Sequence, residues 1–131
     1  MMRRLATAMI SAAMAMLPAS SSHGGRDAAG GRLSTGGYEL IVFEADGCVY
    51  CEVFRRDVLP LYAASDTSRS APLRFVNLTY SDESRMGLAA GITIAPTVVL
   101  MQHGREVDRI AGYTGPDSFL RLVGIMMGKA S

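Results

Sequence analysis

The sequence contains no tryptophan, two cysteines and two histidines among 131 residues. A chain with two cysteines cannot form a framework of several disulfides. Structural zinc sites take four ligands, and beyond the cysteines the sequence offers only His23 and His103, which lie far apart. Half of a zinc site therefore remains an alternative use of the cysteine pair, and no complete metal site is predicted.

An excess of charge of one sign is also lacking. The chain has 13 basic and 12 acidic residues, and charged residues make up 19% of the sequence. Proteins that bind nucleic acids or anionic membranes usually show a clear basic excess. The nearly equal numbers of basic and acidic residues give no such excess, so no nucleic-acid partner is expected.

A hydrophobic run long enough to span a bilayer is missing as well. The longest apolar stretch covers residues 5–17, follows Arg3 and Arg4, and precedes Pro18 and a run of small residues. This three-part layout predicts a signal peptide over residues 1–21, cleaved near residues 19–21, with an uncleaved anchor as the alternative. Residues 22–37, rich in Ser and Gly, are predicted to form a flexible linker before a domain at 38–128. An exported protein meets an oxidising compartment, so periplasmic localisation is expected.

Both cysteines lie in one short motif, Cys48-Val49-Tyr50-Cys51, which follows the apolar run at residues 40–43. A strand that leads into Cys-x-x-Cys at the start of a helix is typical of thiol–disulfide exchangers, because helical N–H groups stabilise the first thiolate. A purely structural disulfide is the alternative, although so short a loop removes little unfolded-state entropy.

The remaining chain alternates strand and helix patterns. Apolar alternation, capping residues and turn signals predict the element order β-α-β-α-β-β-α. Pro60 is expected to kink the first helix or end its regular hydrogen bonding. Helices in the first two connections predict parallel crossovers, and the last two strands are predicted to form a hairpin. The expected elements are strands at residues 38–45, 72–78, 98–101 and 105–111 and helices at 49–64, 84–90 and 116–127.

This order, with Cys48 after the first strand and Ala95-Pro96-Thr97 before the third, resembles the thioredoxin superfamily. The runs at residues 43–51, 95–100 and 112–117 are similar to small periplasmic thioredoxins of bacterial sulfur-oxidation (Sox) systems, the SoxS type. The resemblance implies an α/β thioredoxin fold, with a central mixed four-stranded sheet flanked by helices. It also implies a reductant that keeps a cysteine-bearing Sox carrier protein active and is recharged by a DsbD- or CcdA-type membrane thiol carrier.

The resemblance further implies residue roles. Cys48 corresponds to the attacking thiolate, and Cys51 to the residue that resolves the mixed disulfide. Pro96 matches the cis-proline of the family, so Ala95 and Pro96 are expected beside Cys48, where an extended substrate can pair with the backbone. Tyr50 is expected to line the same groove. No cofactor is implied.

Two positions depart from the family pattern. Gly47 stands where thioredoxins usually carry tryptophan, which predicts a more open surface around Cys48. Val42 stands where thioredoxins carry a buried acid, and Glu44 is the candidate replacement as proton acceptor for Cys51. Strand alternation gives Val42 and Glu44 the same face, so Glu44 either points toward the helix or emerges at the strand end.

Asp46 and Glu52 flank the motif with negative charge, which opposes a fall in the Cys48 pKa. A less acidic thiol favours a reductant over a strong oxidant. A glutaredoxin-like or oxidising protein is an alternative, since the turn at residues 115–117 is similar to one that helps glutaredoxins hold glutathione; a simple helix cap is the other interpretation. A metal- or haem-delivery module that uses both thiolates is a further alternative. A monomer is expected, because no apolar surface stripe is left over.

Overall fold

The computed structural model describes residues 37–131 of the chain. The predicted signal peptide and all but the last residue of the predicted linker lie outside the described residues. None of the helices within the described range has the length and apolar character needed to cross a membrane.

Four strands form one mixed sheet in the spatial order β2-β1-β3-β4. The central strand β1 pairs in parallel with β2 and antiparallel with β3, and β3 forms a hairpin with β4. The elements are β1 (Tyr38–Glu44), α1 (Val49–Ala64), α2 (Thr67–Ser70), β2 (Leu73–Asn77), a 3-10 turn (Glu83–Arg85), β3 (Thr97–Gln102), β4 (Arg105–Ala111) and α3 (Pro116–Ala130).

The expected α/β thioredoxin-like fold is confirmed, and its strands and two long helices lie within a few residues of their predicted bounds. Pro60 lies inside α1, which continues past it to Ala64. The prediction that both early connections are parallel crossovers is wrong for the second, because β3 arrives antiparallel to β1. Residues 65–71, which fall between the expected helix at 49–64 and the expected strand at 72–78, contain the short helix α2.

The predicted helix over residues 84–90 is also wrong. Only the 3-10 turn forms, capped by Asp82, whose carboxylate accepts a hydrogen bond of 3.0 Å from the Ser84 N–H. Gly87 has a φ of +71°, which is not a right-handed helical conformation, so a helix cannot continue through it. A Cβ at this position would lie 2.1 Å from the Gly104 carbonyl oxygen, so the chain requires glycine here.

The two faces of the sheet carry separate apolar clusters, because successive side chains of a strand point to opposite faces. Leu40 and Val42 pack beneath α1 and α3 together with Phe54, Val58 and Phe119. The opposite face holds five buried side chains, and residues of the irregular segment between β2 and β3 pack against them. These buried residues are Ile41, Phe43, Val76, Val99 and Met101, and the covering residues are Leu78, Met86, Leu88 and Ile92.

Candidate active site

The register of the strands brings three loops to one edge of the sheet. Glu44, the last residue of β1, pairs with Asn77, the last residue of β2. Phe43 pairs with Thr97, the first residue of β3. The turn before Cys48, the loop after β2 and the loop before β3 therefore meet at this edge, with the turn before Cys48 in the middle.

Cys48 and Cys51 form a disulfide at the start of α1. Cys48 is the N-cap residue, and its Sγ accepts a hydrogen bond of 3.2 Å from the Cys51 N–H. Cys48 is partly exposed, whereas Cys51 is 4% exposed. An accessible sulfur at a helix N-terminus, where helical N–H groups stabilise a thiolate, is arranged to attack a disulfide, and the buried sulfur one turn later is arranged to resolve it.

Pro96 is buried at the start of β3, and the Ala95–Pro96 peptide bond is cis. The Pro96 carbonyl accepts a hydrogen bond of 2.8 Å from the Gly112 N–H, and the Ile94 carbonyl accepts one of 2.7 Å from the Thr97 hydroxyl. Within residues 37–131, neither the N–H nor the carbonyl of Ala95 is hydrogen-bonded. Both groups are therefore available to an extended peptide.

Glu44 turns toward α1 and not outward at the strand end. Arg55 donates two hydrogen bonds to its carboxylate, from Nε at 2.8 Å and from Nη2 at 2.6 Å. The Arg55 guanidinium also lies 3.5 Å from the ring centre of Phe75. These hydrogen bonds to Glu44 raise the pKa of the Arg55 guanidinium. The role of Glu44 as a proton acceptor for Cys51 remains a prediction. The hydrogen-bond partner of Glu44 is Arg55, which no local sequence pattern indicates.

Asp46 and Glu52 are both exposed. Asp46 has two partners that sequence reasoning missed: the Tyr80 hydroxyl donates a hydrogen bond to its carboxylate, and Asn77 Nδ2 donates another of 2.8 Å. These two bonds, that from Tyr80 first, lower the pKa of the Asp46 carboxyl. Asp46 therefore keeps its negative charge two residues before Cys48.

The glycine before Cys48 leaves the site open. Gly47 has a φ of +72°, and a Cβ built there would have no atom within 4 Å. Tyr50 is 65% exposed one residue before Cys51. In the loop between β4 and α3, Gly115 precedes Pro116, which occupies the first turn of α3. This arrangement fits the helix-cap interpretation of residues 115–117. His103 lies at the opposite end of β3, in the hairpin turn, away from both cysteines.

No three His, Cys, Asp or Glu side chains come together in the described part of the chain in a way that could hold a metal ion. The two thiolates of the reduced motif would thus supply at most two ligands of a site.

Comparison with known proteins places these features in a family. A family model described as "Thioredoxin-like domain" matches residues 33–124. The crystal structure of the periplasmic thioredoxin SoxS from Paracoccus pantotrophus superposes with a TM-score of 0.67 at 32% identity, covering 72% of this chain and 99% of that one. A thioredoxin of Chlamydia caviae is 29% identical over 87 residues, which are 66% of this chain and 80% of the relative. A thioredoxin-fold protein from Helicobacter pylori superposes with a TM-score of 0.54 at 25% identity, covering 73% of each chain.

Proposed function

The chain belongs to the thioredoxin-like family and is a thiol–disulfide oxidoreductase, and from this premise we propose that it acts in the periplasm as a reductase of a protein disulfide. The observation that carries the proposal is the likeness to periplasmic SoxS, which extends over 99% of that structure. The signal peptide proposed for residues 1–21 supplies the route of export.

The proposed reaction begins with the reduced protein. The Cys48 thiolate attacks one sulfur of the substrate disulfide, a mixed disulfide forms, and the second substrate sulfur leaves as a thiolate that takes up a proton. The Cys51 thiolate then attacks Cys48 Sγ, which breaks the mixed disulfide and releases the substrate sulfur that Cys48 had attacked, as a thiolate that also takes up a proton. The substrate gains two electrons and two protons, and the protein is left with the Cys48–Cys51 disulfide.

Charge around the motif favours this direction. The carboxylates of Asp46 and Glu52 stand on either side of the cysteines, and a nearby anion opposes the thiolate that the helix terminus favours. A reduced form that is stabilised less gives a more reducing pair. Both carboxylates are exposed, so salt weakens this contribution.

The partner side of the proposal comes from the likeness to SoxS. The substrate is a cysteine-bearing carrier protein of the Sox type, and a DsbD- or CcdA-type membrane thiol carrier returns the two electrons to Cys48 and Cys51. The protein works as a monomer. A Cys51→Ser variant tests the substrate directly, because the mixed disulfide cannot be resolved and the bound partner can be identified; a Cys48→Ser variant is the matched control and traps no partner.

The reduction potential of the pair tests the direction. We would equilibrate the protein with defined thiol buffers and measure the oxidised fraction. A value near that of thioredoxin, about −270 mV, is expected for a reductase. A value near that of DsbA, about −120 mV, would overturn the proposal in favour of an oxidant. Turnover of the pair by glutathione alone would instead favour a glutaredoxin-like protein, and stoichiometric copper or zinc in protein purified under reducing conditions would favour metal delivery.

A further inference from the structure

Exposed apolar side chains are concentrated at the edge of the sheet that carries Cys48. Seven large apolar residues are exposed within residues 37–131, and four of them lie at this edge, two in the first turn of α1 and one each in the loops after β2 and before β3. These four, the apolar rim, are Val49, Tyr50, Tyr80 and Ile94. The other three, Leu61, Val107 and Ile125, lie singly on α1, β4 and α3. A cluster of exposed apolar side chains around a reactive group indicates a contact surface.

Tyr80 is the most exposed member of the rim, at 78%, and yet its position is fixed. Its hydroxyl donates a hydrogen bond to Asp46, and its backbone N–H donates one of 3.2 Å to the Asn77 carbonyl. In the same loop, the Thr79 hydroxyl accepts a hydrogen bond of 3.3 Å from the Asp46 N–H. The loop after β2 is thus tied to the turn before Cys48 by the side chains of Thr79 and Tyr80.

The sheet order sets what lies on each side of the cysteines. Because β1 lies between β2 and β3, Tyr80 stands on the β2 side of the Cys48 turn, and Ile94 and Ala95 stand on the β3 side. Between them, Gly47 leaves open space next to Cys48. The candidate groove is the space between this hydrogen-bonded aromatic ring on one side and the free backbone of Ala95 on the other, and it would cross Cys48.

We propose that Tyr80 is a specificity-determining residue, whose ring contacts the extended peptide segment that bears the substrate disulfide. The inference rests on the proposed thiol–disulfide function. A ring held in place by its hydroxyl loses little freedom on binding, and such aromatic anchors often dominate the affinity of a contact surface. The Tyr80 ring thus supplies, from the loop after β2, an aromatic wall that Gly47 does not.

The test compares a protein disulfide with a small one. The pre-reduced protein is mixed with insulin or with hydroxyethyl disulfide, and the second-order rate constant is measured for each. Tyr80→Ala is expected to lower the rate with insulin about tenfold, because it removes an aromatic contact, and to leave the rate with hydroxyethyl disulfide unchanged. Tyr80→Phe keeps the ring but loses the bond to Asp46, so a smaller selective loss is expected.

Tyr38→Phe is the matched control. Its hydroxyl donates a hydrogen bond of 2.5 Å to the Ala130 carbonyl, at the other end of β1 from Cys48. Equal losses on both disulfides, or no loss with insulin in Tyr80→Ala, would overturn the role of Tyr80. Failure of the wild-type protein to reduce either disulfide would instead overturn the proposed function. Circular dichroism of each variant establishes that it is folded.

Discussion

One face of the sheet lies under the two long helices α1 and α3, whereas the other lies under residues 78–92, whose single regular element is a 3-10 turn. Beneath the helices, Phe54 forms edge-to-face contacts with Phe75, Tyr113 and Phe119 at ring distances of 6.3, 6.0 and 5.1 Å. A helix satisfies its own backbone, so this layer depends mainly on apolar packing.

The irregular layer depends on polar side chains instead, because its backbone groups need partners that a helix would have supplied. Arg109 on β4 donates hydrogen bonds to the carbonyls of Gly91 and Ala90, at 3.2 and 2.8 Å. Glu106 on β4 accepts one of 2.7 Å from the Ala89 N–H, and Glu83 accepts one of 3.1 Å from the Ile92 N–H. Different forces thus stabilise the two faces of one sheet, and the irregular layer carries Tyr80 near its start and leads into Ala95 after its end.

Truncation of one apolar side chain on each face should give the largest contrast. Phe54 is 1% exposed at the centre of the aromatic cluster, so Phe54→Ala is expected to lower the free energy of unfolding by about 3–5 kcal/mol. Leu88 is only partly buried, so Leu88→Ala is expected to cost less than about 2 kcal/mol. Urea unfolding of the oxidised protein measures both values.

The exposed Leu61 of α1 provides the control, since Leu61→Ala is expected to change the stability by no more than about 0.5 kcal/mol. Equal losses from Phe54→Ala and Leu88→Ala would show that the two faces contribute alike, contrary to this comparison.

The same contrast explains how much the sequence could predict. The bounds of β4 match residue for residue, and α1 and α3 begin where expected, because apolar periodicity, Pro116 and the cysteine motif are local signals. The irregular segment offers similar local signals, with Ser81 and Asp82 before the helix expected at residues 84–90 and Gly91 after it, and these signals are misleading. The carbonyl of Gly104, distant in sequence, is what excludes a side chain at position 87.

The candidate site divides in the same way. The cysteine pair and Ala95–Pro96 are sequence motifs, so their place at the edge of the sheet could be predicted. The partners of Glu44 and Asp46 could not, because Arg55 and Tyr80 are brought to them by the fold, 11 and 34 residues away. Long-range polar pairs of this kind leave no periodic pattern in a sequence.

Acid is expected to destabilise the irregular layer, through Glu106. Glu106 is 6% exposed in its side chain and accepts hydrogen bonds of 2.5 and 2.6 Å from Arg109. These bonds, and then that from the Ala89 N–H, lower the pKa of Glu106. A lowered folded-state pKa stabilises the protein above the unfolded-state value of about 4.3, and this stabilisation is lost as the pH falls through the folded-state value.

Glu106→Gln removes the charge and keeps the shape of the side chain. It is expected to cost about 1.5–3 kcal/mol at neutral pH, the usual contribution of hydrogen bonds to a charged group, and less in acid, where the unfolded wild-type chain takes up a proton at Glu106 and the stabilisation is partly lost. Urea unfolding at about pH 7 and about pH 3 measures the difference. Asp66→Asn, at an ion pair whose carboxylate is 96% exposed, should change little at either pH. An equal deficit at both pH values for Glu106→Gln would contradict the argument.

Alkali is expected to destabilise the helical layer, through Tyr62. Tyr62 belongs to α1, and its buried hydroxyl donates a hydrogen bond of 2.5 Å to the Ala71 carbonyl. Burial raises the pKa of this hydroxyl. A raised folded-state pKa stabilises the protein fully below the unfolded-state value of about 10, and this stabilisation is lost as the pH rises toward the folded-state value.

Tyr62→Phe is therefore expected to cost about 1 kcal/mol at neutral pH, for the lost hydrogen bond. Because phenylalanine cannot ionise, the deficit should shrink or reverse by about pH 11, whereas Tyr50→Phe, at an exposed position, should show no such change. A deficit that stays constant across this range would mean that the buried phenol is not what makes the helical layer sensitive to alkali, and the assignment of acid and alkali to opposite faces would fail on this side.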